Sequence, residues 1–120
     1  MTVWKGSLQR LNKDRILSLL GLATKSGKIV SGEFMVEKVV KANGAALVIV
    51  ATDASDGSRK NYTDMCKFYH VPIAFYATKE TLGHCIGKEI RASVALTDEG
   101  FANRIMELMK DSTVNTEVIK

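Results

Sequence analysis

Among 120 residues the chain holds one proline, two cysteines and two histidines, and each scarcity closes off a class of answer. A lone proline excludes a proline-rich spacer or recognition segment. Two cysteines without a CxxC pairing exclude a disulfide-stapled scaffold and point to reduced thiols. Tetrahedral zinc would need all of Cys66, His70, His84 and Cys85 to converge. Cys66 and His70 do stand four apart, but Cys66 belongs to an apolar stripe, so a buried thiol beside a surface histidine is the expected arrangement. No metal and no cofactor are expected. No apolar run approaches the roughly 18 residues of a membrane span. The opening "MTVWKGSLQR" lacks a signal-peptide core, so the cytoplasm is the expected setting.

What remains is ordinary globular material. Hydrophobic residues make up 46% and charged ones 25%, enough to bury a core in a single domain. The net charge of +4 is unevenly spread. Residues 1–41 carry eight basic and three acidic side chains, a net of +5, whereas the remainder carries nine and ten, a net of −1. Such asymmetry hints at a polyanionic partner, although charge runs on small domains are more often solvated faces.

Helical and strand patterns alternate along the chain. Asn12 is placed to cap a helix carrying Ile16, Leu17, Leu20 and Ala23, with Gly27 in the left-handed position after it. "KIV" reads as a short extended piece, and the helix 33–42 follows Gly32. "ALVIVATD" is a continuous apolar run, the mark of a strand buried on both faces. "ASDGS" reads as a loop. Tyr62, Met65, Cys66 and Tyr69 recur at helical spacing. Pro72 opens a second strand, "PIAFYA", at the position where a strand tolerates proline. Thr78 caps a short helix containing Gly83, "ASVALT" is a third long strand, and Asp98 caps a last helix. The expectation is an α/β chain, a three-layer α/β/α sandwich around a small mixed sheet of about four strands. Its core would span about 13–110, between an extension at 1–12 and a frayed tail at 111–120.

Catalytic signatures are missing. "GLATKSGKI" has the wrong glycine spacing for a P-loop, and Ile29 stands where a Mg²⁺-binding hydroxyl is needed. Nothing spells a nucleophile elbow, and the carboxylates of Glu33 and Glu37 sit on an exposed helix face. A non-enzyme is expected. The unusual residue is Phe34. On a helical wheel Met35, Val36, Val39 and Val40 gather on one side, while Phe34 falls opposite, among Glu33, Glu37, Lys38 and Lys41. A ring there could pack under a loop or a partner. Alternatively, free N–H groups at a glycine-led helix start, with Lys25, Lys28 and Lys38 nearby and an exposed ring, suit phosphates and an unstacked base.

The stretches "GEFMVEK", "AALVIVATDAS" and "CKFYHVPIAFYATKETLGHCIGKEIRASVALTD" together resemble the L7Ae/L30e family of ribosomal proteins, the kink-turn RNA binders, from about Leu17 to about Met109. The agreement points toward a small bacterial branch of that family. The resemblance implies that Gly32 lets an RNA backbone approach and that Lys38 contacts phosphate or a guanine edge. It also implies that Glu89, Ile90, Arg91 and Ala92 cover a flipped-out base. The family's kink-turn binders usually carry Asn-Glu where this chain has Phe34 and Met35. The implied function is therefore a non-catalytic, RNA-binding, ribosome-associated and monomeric protein. It would recognise a kinked or bulged RNA element through the 31–38 helix start, Glu33 included, and the 88–93 loop. The alternative is a protein–protein interaction module using Phe34 and Trp4 as an apolar patch.

Overall fold

A computed structural model describes the backbone of residues 4–111 and 118–119, and the side chains of 15–110. The order is α1 (Trp4–Lys25), β1 (Ile29–Ser31), α2 (Glu33–Lys41), β2 (Leu47–Val50), α3 (Asp56–Tyr69), β3 (Ile73–Phe75), α4 (Lys79–Cys85), β4 (Ser93–Leu96), α5 (Glu99–Asp111) and β5 (Val118–Ile119). The sheet runs β1-β4-β2-β3-β5. Only β2 and β3 are parallel, joined by α3 as crossover; β1 with β4, β2 with β4 and β3 with β5 are antiparallel.

Two hydrophobic cores explain the layering. On one face Ile16 and Leu20 of α1, Leu82 of α4 and Ile105 and Leu108 of α5 pack on Leu47, Ile49, Val94 and Leu96. On the other, Val36 and Val40 of α2 and Tyr62 and Cys66 of α3 pack on Val48, Val50, Ile73 and Ala95. The alternate residues of β2 thus feed opposite cores, so all four of its side chains are buried. This is the sandwich the apolar runs call for. Among the described residues, no helix is long and apolar enough to cross a membrane.

The caps at Thr78 and Asp98 form as expected. The Thr78 hydroxyl accepts from the Thr81 N–H at 3.1 Å, and the Asp98 carboxylate from the Phe101 N–H at 3.0 Å. Each cap contributes about 1 kcal/mol. Three expectations need correction. Helix α1 is already continuous from Trp4, so Asn12 lies inside it rather than at its start. "ASDGS" is only partly loop, because the Ser55 hydroxyl accepts from the Ser58 N–H and starts α3 at Asp56. The tail does not fray throughout: to the expected sheet of about four strands Val118–Ile119 adds a short fifth, paired with the open edge of β3. The rest of that tail, 112–117 and 120, lies outside the described residues.

Cys66 is buried where the apolar stripe puts it, with His70 exposed one turn on, in a left-handed C-cap. Burial pushes the Cys66 thiol up to about 11. The thiolate is the nucleophile, so iodoacetamide at pH 8 should alkylate native Cys66 roughly a hundredfold more slowly than the unfolded chain, whose thiol sits near 8.5. Equal rates with and without denaturant would contradict the burial.

Candidate nucleic-acid interface

Helix α2 starts on Gly32, whose backbone (φ 89, ψ 153) lies in a region essentially reserved for glycine. No side chain caps this start, and its first ladder bond is Val36 N–H to the Gly32 carbonyl at 3.0 Å. The N–H groups of Glu33, Phe34 and Met35 therefore precede the ladder and point outward at the positive end of the helix. Nothing lies within 4 Å of where a Gly32 side chain would be, so the approach is open.

The 88–92 loop, some sixty residues later, is fastened to that start. The Gly32 N–H donates to the Ser93 carbonyl at 3.1 Å. Arg91 Nε donates to Ser31 Oγ at 3.1 Å, while its Nη1 donates to the Ile90 carbonyl at 2.7 Å. Arg91 N–H reaches the Lys79 carbonyl at 3.0 Å, and Ala51 N–H the Ala92 carbonyl at 2.8 Å. Beneath the loop lies Gly83, so close that an added Cβ would sit 2.5 Å from the Glu89 carbonyl oxygen. The segments singled out around Gly32 and around Glu89-Ile90-Arg91-Ala92 thus form one rim.

Exposed apolar groups crown it. Phe34 is 75% exposed, Ile90 57% and Met35 37%. The wheel places Met35 on the apolar side; in the structure it is exposed, because the buried residues are Val36 and Val40 and Met35 lies about 100° from the first and about 140° from the second. Phe34 and Lys38, one turn apart, share a helix face. Glu33 and Glu89 add exposed carboxylates to the rim. Lys41 pairs with Glu37 at 2.7 Å, but no salt bridge among the described residues involves Lys38, Lys25 or Lys28. The structure does not bring Lys25 and Lys28 to this rim. Strand β1 separates them from Gly32 by about 13 Å of extended chain, and the Lys28 carbonyl accepts from Thr97 N–H at the far end of β4.

Sequence reasoning missed the supports of the rim. The parallel strands β2 and β3 end at this same edge, where open α/β sheets bind ligands. Thr52 donates to the Ala77 carbonyl through N–H (2.8 Å) and Oγ1 (3.0 Å). The Asp53 carboxylate accepts from Lys79 N–H at 2.8 Å. Ala77 itself is held at φ 64, a left-handed conformation that costs a non-glycine residue about 1–3 kcal/mol. Ser93, fully buried, donates its hydroxyl to Tyr62 Oη at 2.7 Å and so links α3 to the strand that holds Gly32. Burial pushes the Tyr62 phenol up, the Ser93 hydrogen bond pulls it down, and the charges of Glu33 and Glu37 push it up further. The positive φ at Ala77 and the Ser93–Tyr62 bond have no sequence signal; the parallel strand ends do, once strand order is known.

The comparisons agree with this architecture. The sequence model described as the ribosomal protein L7Ae/L30e/S12e/Gadd45 family matches residues 14–106. The RNA-binding protein YlxQ of Bacillus subtilis (strain 168) is 45% identical over 91 residues, covering 76% of this chain and 91% of that protein. The protein of the same name from Enterococcus faecium is 31% identical over 99 residues, covering 82% and 95%. A solved structure of a Bacillus halodurans C protein of unknown function superposes with a TM-score of 0.77 at 33% identity, covering 80% of this chain and 97% of that one. The Giardia lamblia 15.5kD RNA binding protein superposes with a TM-score of 0.68 at 23% identity, covering 85% of each, a likeness of fold.

Proposed function

The chain belongs to the L7Ae/L30e/S12e/Gadd45 family of ribosomal proteins, and on that premise we propose that it is a non-catalytic, RNA-binding, ribosome-associated protein of the cytoplasm. It acts as a monomer on a kinked or bulged RNA element. One observation carries the reading: the uncapped start of α2 is joined to the 88–92 loop through Gly32 and Ser93, with Phe34 and Ile90 exposed on the two sides of the join. The relatives named RNA-binding support it.

The roles follow from chemistry. The free N–H groups after Gly32 and the ammonium of Lys38 take phosphate oxygens. Phe34 stacks on an unstacked base, and Ile90, with Met35 and Ala92 alongside, closes over it. Glu33 and Glu89 accept from base amino groups and repel misplaced phosphate. Arg91 spends two N–H donors on Ser31 and Ile90, so it holds the loop as well as charging it. Lys25 and Lys28 reach phosphates of a different part of the RNA, since they lie at the other end of β1. Phe34 and Met35 replace the polar pair that reads G·A pairs in kink-turn binders, so the target is a bulge or kink recognised by shape and stacking.

Fluorescence anisotropy at one fixed salt concentration tests this with a kink-turn RNA, the same RNA lacking its bulge, and a plain duplex. The bulged RNA is expected to bind most tightly; equal binding to all three would sink the shape-and-stacking reading. Phe34→Ala should lose about 1–3 kcal/mol of affinity, and an unchanged Kd would remove the stacking role. Lys38→Ala should lower the slope of log K against log salt by about one; an identical slope would exclude its phosphate contact. The second reading, a protein-interaction surface, draws on Phe34 and the equally exposed Phe68 of α3. It requires a concentration-dependent mass in light scattering that RNA does not alter.

A further inference from the structure

Behind the 88–92 loop, on the side of the sheet away from α2, an open groove of about 620 Å³ is lined by His84, Gly87, Lys88, Glu89 and Arg91. We infer that this groove is a second RNA subsite, holding a phosphodiester of the strand whose unstacked base lies over Phe34. The inference rests on the RNA reading above and extends it to the other side of the loop.

Three features select a phosphodiester over other ligands. The lining offers two cations, Lys88 and Arg91, and an imidazole, against the single carboxylate of Glu89. No salt bridge among the described residues involves Lys88, Glu89 or Arg91, so the charges are not spent on one another. Apart from the His84 imidazole its walls carry none of the aromatic and aliphatic side chains that enclose a small apolar ligand, whereas an open cationic channel suits a strand that enters and leaves.

The groove is also built before any ligand arrives. Lys88 N–H donates to the Gly83 carbonyl at 2.7 Å and Gly87 N–H to that of His84 at 3.1 Å. The backbone of Glu89 and Ile90 rests directly on Gly83. Arg91 belongs to both sides of this thin wall: it is hydrogen-bonded to Ser31 at the α2 side and lines the groove on the other. A strand crossing the loop at Ile90 meets α2 first and the groove next. Within a single-stranded or bulged segment each neutralised phosphate adds roughly 0.7 to the salt slope.

Lys88→Gln tests the groove, since Lys88 is exposed and makes no side-chain bond with any described residue. The probe is a hairpin RNA with one bulged nucleotide, unmodified or with a neutral methylphosphonate at each phosphate flanking the bulge in turn. Between 50 and 200 mM salt the unmodified protein should lose about threefold more affinity than Lys88→Gln. One methylphosphonate position should weaken the unmodified protein and leave Lys88→Gln unaffected. Tight binding by the unmodified protein with the same slope in Lys88→Gln, and no methylphosphonate position that distinguishes the two, overturns the groove alone. Failure of the unmodified protein to bind the hairpin overturns the RNA reading and the groove with it.

Discussion

Gly83→Ala is expected to lower both the melting temperature and the RNA affinity, and it is the substitution from which the largest combined effect is expected. A Cβ at this position would lie 2.5 Å from the Glu89 carbonyl oxygen, 2.7 Å from its carbon and 2.8 Å from the Ile90 nitrogen. All three are backbone atoms, so the clash cannot be relieved by turning a side chain. Either α4 or the loop must move. Overpacking of this kind costs about 1–3 kcal/mol. The loop is the cheaper part to displace, because Glu89 and Ile90 are exposed, whereas Leu82 beside Gly83 is fully buried. Displacing it pulls Ile90 and Arg91 away from Ser31 and Gly32, so affinity for a bulged RNA should fall more than the stability loss alone accounts for. Gly21→Ala is the control: its Cβ would stand 3.5 Å from the Cys85 carbonyl, ordinary contact, although it too faces backbone. Thermal melts and anisotropy on the two variants decide the matter. A Gly83→Ala protein with unchanged melting and Kd would mean that the loop does not rest on α4.

Gly32→Ala should act through the backbone instead. No atom lies within 4 Å of the new methyl, so sterics cost nothing. The conformation does: φ 89 with ψ 153 is closed to L-residues at a cost of about 1–3 kcal/mol. Asn43 and His70 show the contrast, since both sit at φ 59, in the left-handed well that asparagine and histidine can occupy. Asparagine at position 32 should therefore bring no rescue. To relieve the strain the chain would rotate away, and the Gly32–Ser93 hydrogen bond that joins the two halves of the rim would lengthen. The expected result is a lower urea midpoint together with RNA binding weakened by at least tenfold. A variant of unaltered midpoint would refute the requirement for glycine, and one destabilised but binding normally would refute the role of the helix start.

Much of this was legible in residue order. "ALVIVATD" and "ASVALT" announce strands buried on both faces because apolar runs without alternation have no solvent side. The stripe of Tyr62, Cys66 and their neighbours announces α3. Thr78 and Asp98 show where two helices start, because a side-chain cap is a local interaction. That Phe34 lies opposite the apolar side of α2 was legible for the same reason, since a helical wheel needs no partner; that no loop covers the ring was not. What failed was decided at a distance. Val118–Ile119 is too short to show any period and exists as a strand only because β3 offers it an edge. Met35 looked inward on a wheel, but only the width of the surface beneath α2 determines where a flank position becomes exposed. Lys25 and Lys28 are near Gly32 in number and far from it in space, because an extended strand intervenes.

By itself, then, the sequence determined every element but β5, though not where α1 begins, together with their alternation, since these follow from bonded neighbours and periodicity. Tertiary structure alone decided that Gly32 meets Ser93, that Arg91 reaches Ser31, and that Glu89 lies on Gly83. Those contacts depend on strand order and register, which are set by how two cores close around one sheet and are encoded in no local pattern.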